Sequence, residues 1–303
     1  MRKFILALSL CASPVLAQTP SVLTDIPAVH SLVSQVMQGV GDSEILLDKG
    51  ADPHSFQMRP SQAQALSQAD VLFFVGPELT PWLERAIEGV GIKGEAIELL
   101  EVKGTVHREF AEHAKDEAEQ HGDEAGGAHH HDGLDPHAWL TPVNADAWLD
   151  AIAAELAAID AEHAPLYLAN AQQAKARIDL LDTEIIRTLA PMHDTPIIVF
   201  HEAYGYFADH FGLTIAGAVS DGDAATPGAA RLVALREVIA KSGIACAFGE
   251  EQHDPALLEA LFTDANISIG VLDPVGSSLE YGPDLYAQLL RNMAQEIATC
   301  TDN

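Results

Sequence analysis

Short, almost wholly apolar runs recur along this chain, and nearly every one is separated from the next by a stretch of helical periodicity. The runs are Ser21–Ile26, Glu44–Leu47, Val71–Val75, Ile197–Phe200, Thr214–Val219, Ile244–Phe248 and Ile267–Leu272. Strands apolar on both sides belong in sheets covered on both faces, and strand–helix alternation joins parallel neighbours through crossover helices. Between the runs, Val29, Leu32, Val33, Val36, Met37 and Val40 share one helical face, ended by Gly39 and Gly41. Thr226-Pro227 reads as an N-cap followed by a first-turn proline, opening a helix to about Ser242. The chain therefore predicts an α/β fold with parallel sheets.

Two segments interrupt the alternation. Val143–Asp160 and residues 161–190 are helical in pattern with no strand candidate between them, the second carrying Ile178, Leu181, Ile185 and Leu189 on one face. This predicts two lobes, an N-terminal one at 18–160 and a C-terminal one at 191–303, with residues 161–190 as the linking helix. The other interruption, about 104–134, is rich in Glu, Asp, Gly, Ala and His and includes His107, His113, His121, His129, His130 and His131. So little in it can be buried that disorder is expected. Its imidazoles and carboxylates suit weak capture of extra metal ions, because each ion must order loose backbone at roughly 1–2 kcal/mol per residue.

The start of the chain reads as a signal peptide at residues 1–17. Arg2 and Lys3 precede the apolar Phe4–Leu10, and Val15-Leu16-Ala17 offers a small residue before Gln18. Leu10 is bulky where a lipid anchor on Cys11 would want a small residue, and the apolar core is too short to span a bilayer. Export places the mature protein in an oxidising compartment outside the cytoplasm. Cys246 and Cys300 are then the remaining pair, with a disulfide as the default reading and two buried thiols as the alternative. With 45 acidic against 16 basic residues, the net charge of −29 argues against nucleic acid and anionic membrane surfaces as partners.

Against this background one tripeptide stands out. Asp-Pro-His occurs twice, as Asp52-Pro53-His54 and Asp135-Pro136-His137, each with an aromatic residue two positions on, Phe56 and Trp139. His201 ends the run from Pro196 to Phe200, and Asp273 ends the run from Ile267 to Leu272. Ligands of α/β sheets bind at the carboxyl ends of parallel strands, where His201 and Asp273 are expected. His54 and His137 lie on loops of the first lobe, so each lobe offers two ligands to a cleft between them. Three imidazoles and one carboxylate suit Zn2+ in type and number. Glu202, beside His201, is the rival carboxylate. His30 falls among core positions of a helix, and His163, His193, His210 and His253 read as surface residues. Three histidines with an open position would also suit a secreted zinc hydrolase, but the chain has no His-Glu-x-x-His helix. A binding protein for a non-metal solute is the remaining alternative.

Several further motifs accompany these residues: Arg59-Pro60-Ser61, Ala69-Asp70-Val71, Gly76-Pro77-Glu78, the extension of the second tripeptide to Trp139-Leu140, the run from His201 to Phe207, and Leu272 to Gly276. Taken together they resemble the zinc-binding, ZnuA-type components of bacterial ABC transporters, within the cluster A-I metal-binding family. The likeness extends from the signal peptide to the C-terminus. It implies two α/β lobes bridged by one long rigid helix, with metal between them, and a protein that is not an enzyme. His54, His137 and His201 would be its metal histidines, and Asp273 the carboxylate near the fourth position. The acidic, His-rich insert and the Cys246–Cys300 pair also resemble zinc members. Manganese and iron relatives carry a carboxylate where His201 stands, so a manganese or iron homologue is the alternative within the family. The implied role is high-affinity capture of Zn2+ for delivery to a membrane permease driven by a cytoplasmic ATPase. A periplasmic zinc chaperone is a further candidate partner, and a monomer is expected.

Overall fold

The computed structural model describes residues 19–110, 133–220, 228–244, 246–251, 256–262 and 267–302. In the first half the elements are β1 (Val22–Thr24), α1 (Pro27–Val36), β2 (Glu44–Ile45), α2 (Pro60–Gln68), β3 (Val71–Phe74), α3 (Pro81–Val90), β4 (Glu95–Glu98) and α4 (Pro142–Ile159). Then come α5 (Ala164–Leu189), β5 (Pro196–Val199), α6 (Gly205–Phe211), β6 (Thr214–Ala218), α7 (Ala229–Ser242), β7 (Cys246–Glu250), α8 (Ala256–Phe262), β8 (Ser268–Leu272) and α9 (Leu285–Ala298). Helices α1 to α5 each carry proline in the first turn, where its missing N–H costs nothing and its fixed φ favours the helix.

The strands form two four-stranded parallel sheets with the same topology, ordered β2-β1-β3-β4 and β6-β5-β7-β8. Their apolar runs serve two faces by alternation. Val71 and Phe73 of β3 enter the large inner cluster, while Leu72 and Phe74 join an outer cluster with Trp82 and Leu83 of α3. The inner cluster continues through α1, α4 and α5 to β5, β7 and α9, so a single apolar body underlies both sheets.

Helix α5 is the spine of that body. Its 26 residues span about 39 Å at the usual rise. Tyr167, Ala171, Ala174, Ile178, Leu181, Ile185 and Leu189 are buried at helical spacing. From its start to its middle it is tied to the N-terminal lobe: Asn170 donates to the carbonyls of Val36 and Gln38 at the end of α1, and Arg177 donates to Gln35. Its second half is tied to the C-terminal lobe, through Asp182 with His210 of α6 and a bidentate Glu184–Arg291 pair to α9.

Several sequence expectations meet a different structure. Strand β4 was not expected, because Glu95 and Glu98 bound its two apolar residues and it lies at a sheet edge, where charge is tolerated. Helix α7 is preceded by Gly228 as N-cap, and Thr226-Pro227 lies outside the described residues. Residues 104–110 and 133–134, at the edges of the low-complexity segment, are ordered: Glu109 and Leu134 form a β-bridge, and Phe110 donates to the carbonyl of Gly133. The signal segment, His113, His121, His129, His130, His131 and His253 lie outside the described residues. Cys246 and Cys300 form a disulfide that joins the start of β7 to the turn after α9 and closes a separation of 54 residues. Such a link stabilises by roughly 4 kcal/mol in the chain-entropy account.

The point where strand order reverses in the first sheet, between β1 and β3, is closed by Asp25. This fully buried carboxyl accepts N–H groups from Ile26 at 2.7 Å and Val75 at 2.8 Å. Burial pushes its pKa from 3.8 up to about 7, against the pull of those N–H groups. A carboxyl whose folded pKa lies above its unfolded one gives stability that is complete below the unfolded value and lost as pH rises through the folded one. Asp25 should therefore withdraw up to roughly 4 kcal/mol of stability between about pH 4 and pH 8. Urea unfolding of Asp25→Ala is expected to show lower stability at pH 5 and a flatter dependence on pH. An unchanged slope would remove Asp25 as its source.

Candidate metal centre

The repeated tripeptide has a local structural meaning. In both copies the aspartate Oδ1 accepts the backbone N–H of the histidine two residues on, at 2.9 Å for Asp52–His54 and 3.0 Å for Asp135–His137. This is an Asx turn with proline at its centre, which fixes the backbone from which each imidazole projects. The first turn is held by Trp82 of α3, whose indole donates to the carbonyl of Pro53 at 2.7 Å, and Phe56 packs edge-on against the same indole. Its flank is fixed by Gln62, which accepts from Arg59 N–H and donates to the carbonyl of Leu46. The second turn is held across the cleft: Trp139 donates to the carbonyl of Pro274 at 2.7 Å, and Tyr286 Oη donates to the carbonyl of Trp139.

His54, His137 and His201 converge. One ring nitrogen from each lies within 4.8 Å of the others, and among the described residues no other group of three His, Cys, Asp or Glu does so. His201 lies two residues past the end of β5 and Glu250 ends β7, so both stand where the strand order of the second sheet reverses, the usual ligand position of such sheets. His201 Nδ1 meets Glu250 Oε1 at 2.6 Å, and Tyr204 Oη donates to the same oxygen at 2.8 Å. Burial, and then Glu250, push the Tyr204 phenol well above its ordinary pKa, so it remains a donor. In the other lobe His137 Nδ1 meets Asp135 Oδ1 at 2.9 Å. With both Nδ1 atoms committed to carboxylates, the two Nε2 atoms face each other at 3.4 Å. Tetrahedral zinc with Zn–N bonds of about 2.0–2.1 Å places its nitrogens about 3.3–3.4 Å apart.

Asp273, the expected fourth ligand, is not among the converging donors. Its Oδ1 accepts N–H groups of Gly276 and Ser277, and its Oδ2 accepts the N–H and hydroxyl of Ser278, with the Ser277 hydroxyl near both oxygens. The carboxylate is thus engaged in forming its own loop. Glu202 also lies outside the group and approaches Arg231 of α7 at 3.9 Å. His163 bonds Asp160 at 2.7 Å and His210 bonds Asp182 at 2.6 Å, while His30 Nε2 meets the carbonyl of Ser43. Glu250 and Tyr204 escaped the sequence reading. Glu250 could have been found, since it lies just past an apolar run as His201 and Asp273 do; Tyr204 lies in the His201–Phe207 motif, but nothing in that motif marks its bond to Glu250.

This site is a cleft between two parallel-sheet lobes, lined by nitrogen donors and backed by carboxylates. The family model for ZnuA, described as zinc-uptake complex component A, periplasmic, matches residues 22–300, and the chain belongs to that family. It is 47% identical to the high-affinity zinc uptake system protein ZnuA of Paracoccus denitrificans over 97% of this chain and 95% of that one. The Brucella abortus protein of the same name is 34% identical over 96% and 94%. Among solved structures, a zinc-bound ZnuA lacking residues 138–173 of its own sequence superposes with a TM-score of 0.76 at 24% identity, covering 93% of this chain and 98% of that one. The periplasmic zinc-binding protein TroA of Treponema pallidum superposes with 0.76 at 17% identity, over 93% and 99%. At these identities the structures show the shared fold.

Glu250→Gln keeps an acceptor for His201 Nδ1 but removes the charge. Carboxylates behind ligating histidines are commonly worth 10–100-fold in metal affinity. The variant should weaken divalent transition-metal binding by roughly that factor in chelator competition. An unchanged affinity would mean that Glu250 does not support the site.

Proposed function

We propose that His54, His137 and His201 hold a single Zn2+ between the lobes, His137 and His201 through Nε2. The 3.4 Å approach of those two nitrogens, one from each lobe, is the observation that carries this reading. The protein is the periplasmic binding component of a zinc uptake system: it captures Zn2+ and passes it to an ABC transporter's permease and ATPase, and it is not an enzyme. Among the described residues no helix is long and apolar enough to cross a membrane. Delivery as a monomer, receipt of zinc from a periplasmic chaperone, and division into units at 18–160, 161–190 and 191–303 belong to the proposal. Asp273 is the proposed carboxylate near the fourth position, with Glu202 or a water molecule as its alternatives.

The donor set favours zinc over manganese. The two buried carboxylates sit behind the imidazoles, not at the ion, so the ion meets nitrogen rather than the hard oxygen that Mn2+ prefers. Their two negative charges offset the dication in a region where an uncompensated charge would be costly. Replacing any of the three histidines by alanine should weaken zinc binding beyond the roughly 10–100-fold that outer partners contribute. His163→Ala should leave affinity unchanged. In competition titrations Zn2+ should displace Mn2+, with no reverse displacement at equal concentration. Wild-type affinity in His54→Ala, or a preference for Mn2+, would overturn the assignment.

A further inference from the structure

Arg108 sits beside the metal centre and touches both lobes. Its backbone belongs to the N-terminal lobe: its carbonyl accepts the N–H of Asp135 at 2.8 Å, and neighbouring Val106 is held by both ends of the Asn144 amide of α4. Its side chain reaches out from there. Nη1 donates to Asp135 Oδ2 at 3.1 Å, and Nε donates to Asp209 Oδ2 of α6, in the C-terminal lobe, at 2.9 Å. The backbone N–H of Arg108 also donates to Tyr206 Oη of α6 at 2.8 Å.

The guanidinium lies directly on Gly205. A Cβ at that position would fall 2.2 Å from Cζ and 2.3 Å from Nη1 of Arg108. Gly205 has φ −59° and ψ −48°, which any residue adopts, so the backbone does not require glycine here. The seat of Arg108 does. Asp135 meanwhile is fully buried and shared: Oδ2 takes Arg108 and Oδ1 takes His137 Nδ1. One carboxylate therefore links a metal-facing imidazole to the side chain that bridges the lobes.

We propose that Arg108 is a positioning residue that makes retention of the bound ion depend on contact between the lobes, by bridging Asp135, which orients His137, to α6. This rests on the zinc reading above. Parting of the lobes breaks the contacts to Asp209, Tyr206 and Gly205 together and leaves Asp135 held from one side only. The effect is expected on release, because these contacts hold Asp135 behind His137 once the ion is in place.

The test uses the mature protein loaded with one Zn2+, with release followed by stopped flow into excess chelator. Gly205→Ala adds a methyl that displaces the guanidinium while leaving the three histidines, Asp135 and Arg108 in place, and alanine suits a helix. Release should be roughly 10-fold faster or more, on the scale that partners behind ligating histidines are worth. Zinc association should stay within about two-fold of wild type, and the d–d spectrum of the Co2+-loaded form should stay unchanged, as an intact ligand set requires. Arg108→Lys keeps a charge on Asp135 but cannot span both carboxylates, so it should release zinc faster than wild type and more slowly than Arg108→Ala. Gly205→Ala should add nothing in the Arg108→Ala background. Wild-type release in Gly205→Ala, or its full effect in the absence of Arg108, would overturn the proposal. A wild-type protein that fails to bind one Zn2+ tightly would instead overturn the zinc reading.

Discussion

At the centre of the molecule two buried carboxylates face each other across two imidazoles. Asp135 takes Nδ1 of His137 from one lobe and Glu250 takes Nδ1 of His201 from the other. Each bond fixes a ring's rotation and leaves its Nε2 pointing into the cleft. Burying these carboxylates is tolerable because each is further satisfied, Asp135 by Arg108 and the His137 N–H, Glu250 by Tyr204. The nitrogens meet only if the lobes are held at a fixed separation. The long helix α5, bonded to α1 at one end and to α6 and α9 at the other, sets that separation through an apolar body common to both sheets.

The two sheets share one topology but use their reversal points differently. In the second sheet, His201 lies two residues past β5 and Glu250 ends β7, and the point of reversal serves the cleft. In the first, β1 and β3 are followed by Asp25 and Val75, which bond to each other, so the equivalent position is closed. The first lobe supplies its imidazoles from two Asx turns instead, each braced by a tryptophan: Trp82 donates to Pro53, and Trp139 reaches the other lobe at Pro274. The repeated tripeptide is thus a device for projecting a histidine from a loop where the strand edge is already occupied.

Much of this was legible in the sequence, because the relevant signals are local. Apolar runs marked strands covered on both faces, and His201, which follows one of them, meets His54 and His137. The Asp-Pro-His repeat marked His54 and His137. What escaped depends on partners distant in sequence. Strand β4 is too short and too charged to show a period. Glu250 gains its role only from His201, and Arg108 from Asp135 and Gly205. Asp273, expected near the fourth position, accepts N–H and hydroxyl groups from the three residues after Val275, contacts that its place at a strand end does not reveal.

The account turns on three imidazoles meeting one ion. X-ray absorption at the zinc edge of the protein loaded with one equivalent of Zn2+ addresses this directly. The expected result is a shell of nitrogen and oxygen at about 2.0–2.1 Å, with outer-shell scattering that fits three imidazole rings. A shell of oxygen alone, one containing sulfur, or one fitting a single imidazole would contradict it.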